Sequence, residues 1–85
     1  MGEIDRIMGV KYWAKWYPTG TPRYEVFKVY AINGETKMFS FKHVKLNKFI
    51  HYSFKDLKSA MGVKQFRPFL LEFNTILGYL NGKDF

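Results

Sequence analysis

With 85 residues, no cysteine and a net charge of +7, the chain reads as one domain spanning residues 1–85, with disulfides, Cys-ligated zinc and thiol catalysis excluded. Its 47% hydrophobic and 20% aromatic content is too apolar for a disordered chain, yet no apolar run approaches the roughly 18 residues that span a bilayer. Small secreted proteins are usually stapled by disulfides, so the composition points to a reducing, cytoplasmic setting, and the two acids in the opening Met-Gly-Glu-Ile-Asp-Arg argue against a signal peptide.

Residues 3–9 read as a helical turn or a frayed end. Residues 10–17 are rich in aromatics and read as a strand, with Val10, Tyr12, Ala14 and Trp16 on one face and Lys11, Trp13, Lys15 and Tyr17 on the other. A Pro/Gly loop over residues 18–22 leads to the best strand candidate, residues 23–32. Asn33-Gly34 follows, and then the β-prone run 35–41. Asn-Gly between two such runs signals a hairpin with a two-residue turn, because both residues tolerate positive φ. That turn sets Ile32 opposite Glu35, Tyr30 opposite Lys37, Lys28 opposite Phe39 and Val26 opposite Phe41. A slip of one residue would exchange the faces.

Residues 42–52 fit either a strand or a loop followed by a short strand. Ser53 has the character of an N-cap, with Phe54, Leu57 and Met61 on one helical face, Asp56 in the first turn, and Gly62 at the end. A longer second helix is expected from about Gln65 to Leu80. Its apolar stripe is Phe66, Phe69, Leu70, Phe73, Ile76, Leu77 and Leu80, with Pro68 in the first turn and Asn81-Gly82 as C-cap. Strands followed by helices give an α+β fold: an antiparallel sheet of three or four strands, then a short helix and a long C-terminal helix packed on one sheet face.

Charge placement carries the functional expectation. Residues 36–67 hold Lys37, Lys42, Lys45, Lys48, Lys55, Lys58, Lys64 and Arg67 against Asp56 alone, a net +7 that equals the excess of the whole chain. A local positive potential of that size steers polyanions, and each neutralised phosphate releases a counterion. Aromatics interleave with the charge. One hairpin face carries Tyr24, Lys28, Tyr30, Lys37, Phe39 and Phe41, and the first strand adds Lys11, Trp13, Lys15 and Tyr17. Most of these rings belong to the core of so small a fold, with lysine stems covering their edges. Trp13 and Tyr17, which share a face with two lysines, and Tyr30 are the candidates for stacking bases.

The resulting expectation is a nucleic-acid-binding accessory protein of weak sequence preference, taking DNA rather than RNA and admitting single strands. Its contacts would come from the eight cations of residues 37–67 with Trp13, Tyr17 and Tyr30. The alternative is a protein-binding modulator, a compact inhibitor or adaptor of the kind a phage or mobile element encodes, docking on an acidic partner surface. Edge strands leave homodimerisation open. A membrane surface ranks last, because the basic segment shows no amphipathic helix with a lysine-rich polar face.

Catalysis, cofactors and metals are not expected. His43 and His51 lack carboxylates nearby in sequence and read as surface residues beside strands. The acids are scattered, and no phosphate loop or nucleophile elbow is present. The order helix, Gly62-Val63, helix has the outline of a helix-turn-helix. However, Lys58 sits where a small buried residue is usual, and Pro68 falls in the second helix, which is apolar enough to be a core element.

Overall fold

The computed structural model describes residues 7–9, 12–18, 20–69 and 73–82. Five strands and two helices follow in the order β1 (Trp13–Tyr17), β2 (Arg23–Asn33), β3 (Met38–His43), β4 (Phe49–Ser53), α1 (Phe54–Gly62), β5 (Phe66–Pro68) and α2 (Phe73–Leu80). The strands form one antiparallel sheet in the order β4-β3-β2-β1-β5, so β5, which follows α1 in the chain, pairs with β1 at the opposite edge from β4. The α+β class and the antiparallel sheet are as expected. The strand count is five, and the C-terminal helix has eight residues.

The difference lies in residues 66–68. Phe66, Arg67 and Pro68 extend along β1, with Phe66 opposite Lys15 and Pro68 opposite Trp13. Proline cannot donate to a ladder, which suits a short edge strand and not a helix interior. The helix-turn-helix outline fails for the same reason, since a strand stands where its second helix would begin. Residues 42–52 resolve into the end of β3, a bonded loop and β4, closed by His43 N–H to the Lys48 carbonyl at 2.8 Å. Ser53 caps α1 as expected, its Oγ accepting from the Asp56 amide at 3.0 Å.

The β2–β3 turn is not the two-residue turn expected. Asn33 pairs with Met38, leaving a four-residue connection, Gly34 to Lys37. Asn33 acts through its side chain: Oδ1 accepts from the amides of Glu35 at 2.9 Å and Thr36 at 3.0 Å. The left-handed backbone falls on Lys37 (φ 58°) instead. Ile32 therefore faces Phe39, Val29 faces Phe41, Lys28 faces Lys42 and Phe27 faces His43, with a bulge between Val29 and Ala31.

This register sorts the side chains. Trp13, Phe27, Phe39, Phe41 and Phe66 point inward and are fully buried. α1 covers them with Phe54, Leu57, Ala60 and Met61, and α2 with Ile76, Tyr79 and Leu80; Ile7 joins the same core. The inward face curls enough that Tyr52 of β4 stacks on Phe66 of β5, from opposite ends of the strand order, with ring centroids 5.3 Å apart. Lys15 of β1 also reaches the Tyr52 hydroxyl at 3.2 Å. Among the described residues no helix is long and apolar enough to cross a membrane.

Candidate functional site

Both helices lie on the inward side, which leaves the outer face of the sheet free of described elements. Cross-strand partners point to the same side of a sheet, so the register assigns this face residue by residue. Trp16 stands opposite Tyr24, Ala14 opposite both Val26 and Arg67, Lys28 opposite Lys42, Lys42 opposite Phe49, and Ser40 opposite His51. Tyr12 continues the alternation of β1, and the Phe69 amide bonds its carbonyl at 2.9 Å.

Two aromatic platforms occupy this face. The first joins Trp16 to Tyr24 (ring centroids 5.1 Å apart), Tyr24 to Phe69 (6.4 Å) and Phe69 to Tyr12 (6.4 Å). The second joins Tyr30 to Phe49 at 5.2 Å. The β2 bulge makes the second possible, because the extra residue brings Tyr30 to the outer side while Val29 and Ile32 both remain inward. These rings are open to solvent: Trp16 is 43% exposed, Tyr24 52%, Tyr30 61% and Phe69 51%. Exposed aromatics gathered this closely mark interaction sites, whereas a scattered exposed apolar residue needs no explanation.

Lys28 and Lys42 lie between the platforms, each held against a ring. The Lys28 Nζ sits 5.8 Å from the Tyr12 ring centre, and the Lys42 Nζ 5.8 Å from that of Phe49. A hollow of about 220 Å³ lined by Lys28, Val29, Tyr30, Lys42, His43 and Val44 opens beside them. Like charges directly opposite on neighbouring strands are unfavourable. The described acids do not relieve them: Glu25 points inward, Glu35 is in the turn and Asp56 is on α1. Beyond Trp16, a second hollow of about 430 Å³ is lined by Trp16, Pro18, Val63, Lys64 and Gln65.

The eight cations expected to act together are distributed over several surfaces. Lys42 belongs to the outer face, and Lys64 borders it beside Trp16. Arg67 is on β5, its guanidinium 5.1 Å from the Phe73 ring centre. Lys37, Lys55 and Lys58 line a separate groove of about 500 Å³ between the β2–β3 turn and the end of α2. Lys45 is in the loop after β3. Lys48 is engaged with Glu25, Nζ to Oε1 at 3.1 Å.

One of the aromatic expectations is overturned, and a second residue lies away from the outer face. Trp13 is fully buried, stacked on Phe66 at 5.0 Å and tilted against Phe41 at 4.9 Å, so its ring offers no surface to a ligand. Tyr17 is half-buried on the inward side, under the Arg23 guanidinium at 4.6 Å. Tyr30 is on the exposed face as expected. Trp16, Tyr12, Phe49 and Phe69 were absent from the expected set, and Tyr24 and Lys28 stood in it only as members of a mixed hairpin face. β1 alone could not separate them, because Tyr12, Ala14 and Trp16 alternate without charge and so read as the core-facing side of the strand.

Of the histidines, His43 differs from expectation and His51 lies on the surface. His43 is buried, with Nδ1 accepting from the amides of Lys45 at 3.0 Å and Leu46 at 3.1 Å, which places the proton on Nε2, 3.1 Å from Glu25 Oε2. The hydrogen bond from Tyr17, followed by Lys48, holds the Glu25 carboxyl below the usual carboxylate range, while burial and then Glu25 raise the Tyr17 hydroxyl. This constellation is a strut between β2 and the β3–β4 loop. His51 is exposed and 2.8 Å from the Ser40 hydroxyl. Among the described residues no cluster of His, Asp or Glu could hold a metal ion.

Comparison with family models, curated proteins and solved structures finds no match to this chain.

Proposed function

We propose that the protein binds nucleic acid through the outer face of its sheet, with weak sequence preference and without catalysis. The observation that carries this reading is the outer face itself, on which two exposed aromatic platforms flank the directly opposed Lys28 and Lys42 and which carries no acid among the described residues. Aromatic rings stack on any base, and lysines neutralise phosphates without reading sequence, so the combination gives affinity rather than specificity. Ser40 and His51 bond to one another through the hydroxyl and Nδ1, which leaves chiefly the imidazole Nε2 of this pair to meet a base edge. Lys28 and Lys42, opposed on neighbouring strands with no acid beside them among the described residues, favour an anionic partner over an apolar one.

The test is a salt-titrated gel shift with single-stranded DNA, duplex DNA and RNA. A variant carrying Lys28→Glu and Lys42→Glu should lose binding, and the wild-type affinity should fall steeply between about 50 and 200 mM salt. Unchanged affinity in the double variant would remove the outer face as the site. A pull-down with and without nuclease addresses the protein-modulator reading: a stoichiometric partner that survives nuclease would displace the nucleic-acid proposal.

A further inference from the structure

Resting on that reading of the outer face, we infer that its ligand is a single strand, laid along β2 over a short footprint of about four to six nucleotides. The two platforms and the lysine pair are spaced along one strand of the sheet. Tyr24, Lys28 and Tyr30 are all β2 residues, and each pairs sideways with an outer-face neighbour: Trp16, Lys42 and, through ring contact, Phe49. Six residues of extended chain at about 3.3 Å each separate Tyr24 from Tyr30 by about 20 Å. That length matches roughly six nucleotides at the stacked spacing of about 3.4 Å, and fewer if the strand is extended.

The order along this line is ring, cation, ring. A base stacked on Trp16 and Tyr24 leaves its phosphate free to run toward Lys28 and Lys42, and a base further along can reach Tyr30 and Phe49. Both ammonium groups are seated on rings, Lys28 on Tyr12 and Lys42 on Phe49, so they are drawn towards the platforms the bases would occupy.

A duplex fits this arrangement poorly. Its base faces are covered by neighbouring pairs, so the rings would meet only edges and backbone, and their exposure would gain nothing from contact. A protein partner with an acidic patch could satisfy the lysines, but flat rings on either side of a cation along one line suit bases flanking a phosphate. The hollow beside Trp16, bordered by Lys64, lies at the first platform and offers room for one further nucleotide at that end.

The experiment uses the full chain and fluorescein-labelled oligothymidylates of roughly three, six, nine and twelve nucleotides, together with a duplex of about twelve base pairs, read by polarisation and by tryptophan quenching. The expected result has three parts: the steepest gain in affinity falls between about three and six nucleotides, the duplex binds at least about tenfold more weakly, and Tyr24→Ala and Phe49→Ala each lower single-strand affinity about tenfold. Quenching should be lost in Trp16→Phe and retained in Trp13→Phe, which separates stacking at the surface from a change in the core. Equal affinity for duplex and single strand, with both lost in Lys28→Glu plus Lys42→Glu, would overturn the track while leaving nucleic-acid binding in place. Absence of binding to every probe at about 50 mM salt would overturn both.

Discussion

Trp13 and Trp16 differ by an odd number of positions on β1, and in a strand that alone sends them to opposite faces. Trp13 lies among Phe41 and Phe66 with no exposed surface, and Trp16 lies open beside Tyr24. Trp13→Ala should therefore destabilise the fold by about 3–5 kcal/mol, measured by urea unfolding. Trp16→Ala should cost under about 1 kcal/mol, because it removes mainly a cross-strand contact. Sequence patterning identified two faces of β1 but not which faces the core. Lys15 made its own face look exposed, yet its stem spans the rim of the core and its ammonium reaches Tyr52. Glu25 gives a second residue-scale expectation. Its folded pKa is depressed by Tyr17 and Lys48, so the stability it contributes is present above the ordinary carboxylate range and is lost as pH falls through the folded value. Glu25→Gln should lower stability at neutral pH by about 1–2 kcal/mol and flatten the acid limb of the stability profile.

At the scale of elements, the β2–β3 turn shows what local signals do and do not specify. Asn33-Gly34 correctly marks the turn, but asparagine can serve either by adopting positive φ or by offering its side-chain oxygen, and the dipeptide is the same in both cases. Here the oxygen is used, bonding the Glu35 and Thr36 amides. Asn33→Asp should leave unfolding midpoints nearly unchanged, and Asn33→Gly should cost about 1 kcal/mol; a turn relying on left-handed Asn33 would reverse that order. The Ser53 cap was legible because its chemistry is local. The strand at Phe66–Pro68 was not, because Phe66, Phe69 and Phe73 also fit a helical stripe and only the pairing with β1, distant in sequence, decides the matter. Pro68 was the one local clue in the right direction.

For the molecule as a whole, the interleaving of rings and lysines was readable, but their assembly into one face was not. It depends on a bulge in β2 and on a register shifted from the one the turn motif implied, both of which regroup Tyr24, Lys28 and Tyr30 away from Phe39 and Phe41. Linear charge density overstated the site, because Lys48 is tied to Glu25 and Lys37, Lys55 and Lys58 gather around a different groove. Lys42→Gln tests the balance between stability and binding. It should stabilise the free protein by about 0.2–1 kcal/mol, read by chemical denaturation, and reduce the salt dependence of single-strand binding by about 0.7 in the log–log slope.

The opposed backbone positions of Lys28 and Lys42 also make the resting molecule a reporter of its own occupancy. Whatever settles between them quenches a repulsion and binds only the folded form, so it must delay heat denaturation. Melting profiles recorded against chromatographic fractions of a cell extract, before and after ribonuclease or deoxyribonuclease, would then show which cellular polymer this surface retains.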